Sequence, residues 1–493
     1  MEVRPARPGI APDAVFVVVL GTGLASAASW WNDPGTPWHI RLGREILADR
    51  AVPRSDTLTW TKAGTPWVDQ SWLFDVGLAA VVNLGGMGLA IGLAVLATAW
   101  IYRAIARWAE AEGISTISAA GASVLAAGIG AVHFLVRPHL ITFALFAWTL
   151  HACRSHHLRG GRLIWTVPFA VAVWANCHGG FLAGPIVVAT ALVGHALSGP
   201  MDAARKRRVG EFAAVLVLSG LATLLTPYGP ALHVHVARLL FTSGVTTIID
   251  EYQPPRFGTA KARVLELVLL LLVAIPSLTR GKISRYDLAI GLPWLHFTLG
   301  AIRQAPLFGL AIVPAVGLLF DSGFGRNGPT TPSEPNPSRR PPWFPIVVSA
   351  IVLGAIGMGW KPARLDPARW PIAGLAALNR EPSTAPLFHE QDWGGLIEAE
   401  TTPRRKAFLD DRFELYGLDS ILAYLAALEG GPGWDAFPER AAIGLVWVRP
   451  SRPLATRLVA DPAWEVVHRD EGSILLRRKP ATRQAVESPG PSG

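Results

Sequence analysis

Residues 78–101 read LAAVVNLGGMGLAIGLAVLATAWI, and this stretch decides the fold class. It contains no charged side chain and is longer than the roughly 20 residues that an α-helix needs to cross the apolar core of a bilayer. Similar apolar runs recur along the chain, near 13–30, 78–101, 114–134, 139–153, 163–176, 181–198, 211–226, 262–279, 287–302, 305–320 and 343–360. The sequence therefore predicts a mainly α protein, a polytopic helical membrane bundle with about 11 transmembrane helices.

The composition excludes an ordinary soluble protein. Hydrophobic residues make up 51% of the 493 residues, charged residues only 16%, and the mean hydropathy is +0.33. Soluble domains average about 25% charged residues. The net charge of +9 comes from Lys and Arg in loops between the runs, which indicates the positive-inside rule and no nucleic-acid partner. Two cysteines, Cys153 and Cys177, predict neither a disulfide framework nor a Cys/His metal site.

Basic residues in alternate loops predict a cytoplasmic N-terminus in a multi-pass protein of the cell inner (cytoplasmic) membrane. These loops contain Arg4, Arg7, Arg103, Arg107, Arg154, Arg159, Arg162, Arg205, Lys206, Arg207, Arg208, Arg280, Lys282, Arg285, Arg326, Arg339 and Arg340. The first outer loop is the exception, with Arg41, Arg44, Arg50, Arg54 and Lys62. Either this charge serves an anionic ligand or the orientation is reversed. A cleavable signal peptide is the alternative interpretation of the first run.

Composition also predicts the domain boundaries. Residues 1–320 form the transmembrane domain, whose amphipathic first outer loop at about 31–77 is expected to lie at the interface like a lid over a polar cavity. Residues 321–342 read as a cytoplasmic Pro/Ser-rich linker, and 343–360 as the last transmembrane helix. Short apolar runs in 361–480 predict a small C-terminal α/β domain on the outer face, and 481–493 a disordered tail.

Polar and ionisable residues collect at the predicted outer ends of the spans. The groups are DPGTPWH (33–39), Arg137-Pro138, NCHGG (176–180), TPYG (226–229), DEYQ (250–253) and Arg303. Ionisable residues at membrane depth are costly, so several of them on one face predict a functional site.

Blocks around these residues resemble a bacterial family of polytopic proteins grouped with the GT-C-type glycosyltransferases, the lipid-linked-sugar enzymes of the mannosyltransferase and aminoarabinose-transferase kind. The blocks are DPGTPWHIRLGREILADRAVPRSDTLTWTKAGTPWVDQSWL, VRPHL, WANCHGGFLAG, LLTPYG, IIDEYQPPRF, IRQAPLFGLAIVP, QDWGGLI, KAFLDDRFELYG and SILLRR. The resemblance covers nearly the whole chain. It implies a sugar donor linked to polyprenyl phosphate, contact with membrane lipids, and an envelope glycan or lipid as acceptor.

Such a transfer needs a carboxylate base and a cationic phosphate clamp. The resemblance places an acid in the first outer loop, which makes Asp33 the candidate base; many relatives carry a second acid two residues later, where this chain has Gly35. Arg137 and Arg303 are the candidate clamp for the donor phosphate, because a guanidinium can hold two oxygens and keeps its charge. The candidate substrate-binding residues are Trp38, His39, Asn176, His178, Tyr228 and Glu251. No cofactor is required, although a divalent metal is possible.

Each assignment has a structural alternative. Asp33 could form an Asx-Pro turn, the arginines could reach toward headgroups, and His178 could cap a helix. Asp410, Asp411, Arg412 and Tyr416 could form a small polar site or an acid–base turn. Two alternative functions also stay open: a non-catalytic envelope scaffold of the same fold, and a transporter or flippase for a lipid-linked or anionic solute.

Overall fold

The computed structural model describes residues 11–260, 262–279, 281–325, 343–362, 366 and 369–480. The chain divides into two compact units: Met1–Arg54 with Trp67–Arg364, here called the helical unit, and Ser55–Pro66 with Leu365–Gly493, here called the sheet unit. Most of the predicted linker at 321–342 and the whole tail at 481–493 lie outside the described residues.

The described part of the helical unit consists of α-helices joined by turns and single turns of 3₁₀ helix. The α-helices are α1 Ala11–Ala25, α2 Ala27–Trp30, α3 Gly35–Asp49, α4 Trp72–Ala111, α5 Thr116–Gly130, α6 His139–Arg159, α7 Val167–Cys177, α8 Ala183–Leu197, α9 Ala203–Ala222, α10 Pro230–Phe241, α11 Arg263–Leu278, α12 Arg285–Gly300, α13 Ala305–Gly323 and α14 Trp343–Gly357. The 3₁₀ turns are Ala131–His133, Leu163–Thr166, Gly179–Leu182, Val245–Thr247, Asp250–Tyr252 and Ile302–Gln304.

The length and apolar character of these helices make this a membrane protein. Within the described ranges, four helical stretches are long and apolar enough to cross a bilayer: Trp72–Ala111, Thr116–His133, Gly179–Leu197 and Ile302–Gly323. The predicted number of about 11 spans is not confirmed, because several other apolar runs form helices shorter than the roughly 20 residues a span needs. Helix α7, for example, has 11 residues and α14 has 15.

Close helix packing positions the polar ends of the helical unit. Helices α1 and α3 pack against α4, and α13 packs against α5. At Gly43 in α3, an added Cβ would lie 2.0 Å from the carbonyl oxygen of Asp75 in α4, so only glycine permits this approach. The chain before α3 is tied to the turn before α6, since Val136 N–H donates to the carbonyl oxygen of Trp30 at 3.1 Å. Residues 30–36 and 136–139 are therefore neighbours.

The sheet unit confirms the prediction of a small C-terminal α/β domain. Its elements are α15 Ile372–Arg380, β1 Leu387–His389, α16 Gly394–Thr401, α17 Phe413–Tyr416, α18 Leu418–Leu428, α19 Gly431–Asp435, β2 Leu445–Val448, α20 Pro453–Ala460, β3 Trp464–Arg469 and β4 Ile474–Arg478, with 3₁₀ turns at Gln391–Trp393 and Pro438–Ala441. The strand order is β1-β2-β4-β3, with β1 parallel to β2 and the other pairs antiparallel. All three residues of β1 and all four of β2 are buried, as expected for strands covered on both faces.

Residues 55–66 belong to the sheet unit, although the sequence analysis placed them in the outer loop of the transmembrane domain. The Trp60 indole N–H donates to the carbonyl oxygen of Leu387 at 3.0 Å, and the Trp60 backbone N–H donates to that of Ala407 at 3.0 Å. Arg412 Nη2 donates to Asp56 Oδ1 at 2.8 Å, and both side chains are buried. These long-range contacts leave no trace in local composition, which explains the misplaced boundary.

Candidate functional site

Asp33 lies immediately before α3 and is 4% exposed. Its Oδ2 accepts three hydrogen bonds: from Thr36 N–H at 2.8 Å, from Thr36 Oγ1 at 2.9 Å and from Arg137 Nε at 2.7 Å. Its Oδ1 accepts none from the residues that the structure describes. The Asx-type turn considered as a structural alternative is therefore present, yet it occupies one oxygen and leaves the other available to a ligand.

The turn between α5 and α6 brings Arg137 to Asp33. Pro138 directly precedes α6, and the Thr36 hydroxyl also contacts the carbonyl oxygen of Val136 at 3.1 Å, so the segments bearing Asp33 and Arg137 are held together on both sides. The side chain of Arg137 is 20% exposed and that of Asp33 is 5% exposed. A charge-assisted bond in such surroundings is stronger than one at the surface.

A second carboxylate–guanidinium pair joins the loop before α11 to the start of α13. Arg303 Nη1 lies 3.1 Å from Glu251 Oε1, and the Arg303 guanidinium lies 4.2 Å from the ring centroid of Tyr252. His133 Nε2 lies 3.5 Å from Glu251 Oε2. Burial alone would raise the pKa of Glu251, but Arg303 and then His133 outweigh it and hold that pKa at about 2. Glu251 is therefore ionised at neutral pH.

His178 joins the same group from the turn between α7 and α8. Its Nδ1 lies 2.7 Å from Thr142 Oγ1 and accepts from Gly180 N–H at 3.2 Å. Burial lowers the pKa of His178 to about 3, and the positive charge of Arg303 lowers it further. The ring is neutral at physiological pH.

Electrostatic interactions link these side chains into one cluster. His133 interacts with Glu251, Arg303, Arg137 and Asp33. His178 and Glu251 each interact with both Arg303 and Arg137. The structure thus brings together five of the predicted site residues, namely Asp33, Arg137, His178, Glu251 and Arg303. We call these five with His133 the polar cluster; two fixed cations and neutral imidazoles suit it to binding an anion.

Trp38 and His39 are committed to packing and to a buried ion pair. Trp38 is 6% exposed, stacks on the His39 ring with centroids 3.6 Å apart, and meets the edge of Trp67. His39 Nδ1 lies 2.7 Å from Asp75 Oδ1. The stacking surface that the sequence offered for a sugar ring is already covered by a neighbouring ring.

Asn176 and Tyr228 also bond within the helical unit. The Asn176 amide donates to the carbonyl oxygens of Ala172 and Leu225 and accepts from the Trp72 indole. The Tyr228 hydroxyl donates to the carbonyl oxygen of Pro53 at 2.6 Å and accepts from Asp69 N–H at 3.1 Å. The substrate contacts predicted for both residues stay predictions, whereas their contacts in the structure fix neighbouring segments.

Sequence reasoning missed His133 and His139. His133 ends a predicted span, and the His139 imidazole donates to the carbonyl oxygen of His133 while its ring lies 5.3 Å from the His133 ring. The signal existed, because a histidine at the end of an apolar run is as unusual as the arginine nearby. Only the fold shows that His133 contacts Glu251, more than a hundred residues away in the chain.

The donor set of the polar cluster does not fit a resident divalent metal. Among the described residues, no group of three or more His, Cys, Asp or Glu side chains is arranged to hold a metal ion. Asp33 and Glu251 each contact a guanidinium instead. A cation bound between them would meet two fixed positive charges, so we assign no step to a metal.

The basic residues of the first loop have local partners. Arg41 pairs with Glu45 at 2.7 Å, and Arg44 donates to Asn83 Oδ1 at 2.9 Å. Arg54 Nη2 donates to the carbonyl oxygen of Pro227 at 2.9 Å. These contacts account for part of the positive charge that departs from the alternating pattern, without a ligand and without a reversed orientation.

No known protein-family model and no curated protein matches the chain. Solved structures of an oligosaccharyltransferase from Archaeoglobus fulgidus are similar in fold. The archaeal oligosaccharyltransferase AglB, in complex with an inhibitory peptide and a dolichol-phosphate, is 12% identical, with a TM-score of 0.50 over 88% of this chain and 69% of that chain. The form tethered to an acceptor peptide containing the NVT sequon is 13% identical, with a TM-score of 0.51 over 89% and 69%.

The apo form gives the same result, with 12% identity and a TM-score of 0.50 over 89% of this chain and 70% of that chain. At such low identity the likeness establishes architecture alone. That architecture agrees with the family resemblance of the sequence blocks, and this chain has a GT-C-like fold.

Proposed function

We propose that this protein is an integral membrane glycosyltransferase that transfers a sugar from a polyprenyl-phosphate donor to an envelope glycan or lipid acceptor. The cytoplasmic N-terminus predicted from the basic loops places the reaction at the outer face of the cytoplasmic membrane. The observation that carries the proposal is the Asp33 carboxylate, with Oδ2 fixed by three donors and Oδ1 left to a ligand, beside two arginines in a GT-C-like fold.

The chemistry follows from these groups. The acceptor hydroxyl gives its proton to Asp33 Oδ1 while its oxygen forms a bond to the anomeric carbon, and the bond from that carbon to the phosphate oxygen breaks. The leaving phosphate takes the electron pair and is held by Arg137 and Arg303. A direct displacement of this kind inverts the sugar carbon.

The clamp is charge-balanced before the donor arrives. Glu251 occupies Arg303 and Asp33 occupies Nε of Arg137. An incoming phosphate replaces Glu251 on Arg303, so an anion is exchanged for an anion and no guanidinium is left unpaired. Because the Nε contact uses one edge of Arg137, the terminal nitrogens of the guanidinium can reach the same phosphate.

The test is sugar transfer from a panel of polyprenyl-phosphate sugars by the purified protein in nanodiscs, compared with Asp33→Asn. Asparagine can still accept from Thr36 and Arg137 but is not a base. We expect turnover to fall at least 100-fold with donor binding retained. Asp49→Asn, at an exposed acid of the same loop, is the matched control.

The alternatives give different results. Saturable donor binding without turnover in either protein would indicate a scaffold or a flippase, and movement of the lipid between leaflets would separate those two. Full activity of Asp33→Asn would refute the assignment of the base.

A further inference from the structure

The hydrogen bonds to His178 determine which ring nitrogen carries the proton. Gly180 N–H points at Nδ1 at 3.2 Å, and a backbone N–H can only donate. Nδ1 must therefore present its lone pair. A neutral imidazole has one proton, so that proton is on Nε2.

Thr142 reinforces this arrangement from a neighbouring helix. Its Oγ1 accepts from the Trp174 indole at 2.7 Å, and Trp174 is fully buried. With its oxygen engaged, the hydroxyl directs its hydrogen to His178 Nδ1 at 2.7 Å. A chain of donors then runs from Trp174 to Thr142 to His178 and fixes the direction of each bond.

The site excludes a bulkier residue next to the ring. An added Cβ at Gly180 would lie 2.9 Å from His178 Nδ1 and 3.3 Å from Thr142 Oγ1. A side chain there would displace the ring from its two donors. The glycine is therefore needed for the contact that sets the tautomer.

The other ring nitrogen is directed elsewhere. No described residue accepts a hydrogen bond from Nε2, while Arg303 and Arg137 are close enough to act electrostatically on the ring. A neutral N–H donor beside two guanidinium groups suits an anionic oxygen. Unlike a third cation, it adds no repulsion to the pair of arginines.

We propose that His178 is a permanently neutral hydrogen-bond donor, through Nε2–H, to a phosphate oxygen of the lipid-linked donor, and that Thr142 is the positioning residue that sets this tautomer. The identity of the ligand rests on the proposed function; the tautomer does not. In this role His178 binds the donor and the leaving group and takes no proton, which leaves proton transfer to Asp33.

Two isosteric substitutions separate the two nitrogens. Gln places an amide nitrogen near the position of Nε2, whereas Asn places one near that of Nδ1. With a polyprenyl phosphate in nanodiscs as the probe, we expect His178→Gln to bind within a few-fold of the wild type and His178→Asn to bind about 10- to 100-fold more weakly. Equal affinities for Gln and Asn, or a higher affinity for Asn, would overturn the donor role.

Thr142→Ser and Thr142→Val form the matched pair for the positioning residue. Serine keeps the hydroxyl, so binding should stay near that of the wild type, while valine should weaken it about tenfold. Because valine also removes the acceptor of the buried Trp174 N–H, melting temperatures of both variants accompany the titration. A Thr142→Val protein that is stable and binds normally would overturn the positioning role.

The tautomer has a readout that needs no ligand. Nitrogen NMR of protein labelled at histidine, with the His178 signals assigned by their absence in His178→Gln, should show a proton on Nε2 in the wild type and a mixture in Thr142→Val. A proton on Nδ1 would overturn the inference even if the protein transfers sugar. Nε2 protonation in a wild-type protein that does not bind the polyprenyl phosphate would overturn the phosphate assignment together with the proposed function.

Discussion

Arg137 has two roles in the proposed reaction, and a double-mutant cycle can separate them. Arg137 Nε donates to the buried Oδ2 of Asp33 at 2.7 Å, and Arg137 is also expected to hold the donor phosphate. Hydrogen bonds to charged groups contribute about 1.5–3 kcal/mol, and the two donors of Thr36 remain in place. We therefore expect Arg137→Gln to cost about 2 kcal/mol at Asp33, which corresponds to roughly 30-fold in kcat/KM.

Loss of the phosphate contact adds to this. In the Asp33→Asn background the first role has no catalytic value, so any effect of Arg137→Gln on donor affinity reports the second role alone. We expect the Kd for a polyprenyl phosphate in nanodiscs to rise about tenfold in both backgrounds. Arg207→Gln, at a largely exposed arginine with a weak partner at 3.6 Å, is the control for loss of one positive charge.

The reasoning fails if Arg137→Gln leaves donor affinity unchanged in the Asp33→Asn background. Arg137 would then act only by fixing the base. A large fall in melting temperature for Arg137→Gln together with unchanged kinetics of the folded fraction would assign it to structure alone.

Three further predictions concern stability. The pKa of Glu251, held at about 2 mainly by Arg303 against the effect of burial, is below the value of about 4.3 for an unfolded chain; its stabilising contribution is complete above that value and is lost as the pH falls toward 2, so melting curves of wild type and Glu251→Gln should converge as the pH drops from 5 to 3. Burial and then Asp410 raise the pKa of Glu398 well above its usual value, so denaturant unfolding should show Glu398→Gln within about 1 kcal/mol of the wild type, whereas Arg412→Met should lose about 3–5 kcal/mol because it leaves buried carboxylates without their cation. Tyr228→Phe removes two hydrogen bonds and should lower the unfolding free energy by about 1–2 kcal/mol without changing the donor Kd; a changed Kd would instead support the substrate contact predicted from the sequence.

The membrane class and the fold family were accessible from the sequence because each depends on local features. An apolar run such as 78–101 is recognisable by itself, since bilayer thickness fixes the length that a helix needs. The signature blocks around Asp33, Arg137 and Arg303 led to the GT-C-like fold that the solved structures then supported. The number of spans was less accessible, because a run such as 163–176 is apolar yet its α-helix, α7, has only 11 residues.

The candidate site was only partly accessible. Costly ionisable residues at the ends of spans pointed to Arg137, His178 and Arg303, but the same argument did not separate them from Asn176 or Tyr228, which bond within the helical unit instead. Nor could it identify His133 as the partner of Glu251. The buried partners of Arg412 were likewise invisible, because Asp56 belongs to a distant segment of the chain.

The sequence by itself determined that this is a helical membrane protein with a small α/β domain and with acids and arginines suited to an anionic lipid donor, because hydropathy and residue chemistry belong to single segments. Tertiary structure alone decided that Asp33 meets Arg137 across 104 residues, that residues 55–66 join the sheet unit, and that the His178 proton is on Nε2. Those properties depend on distance and direction between atoms far apart in the chain, and these are fixed only when the helices pack.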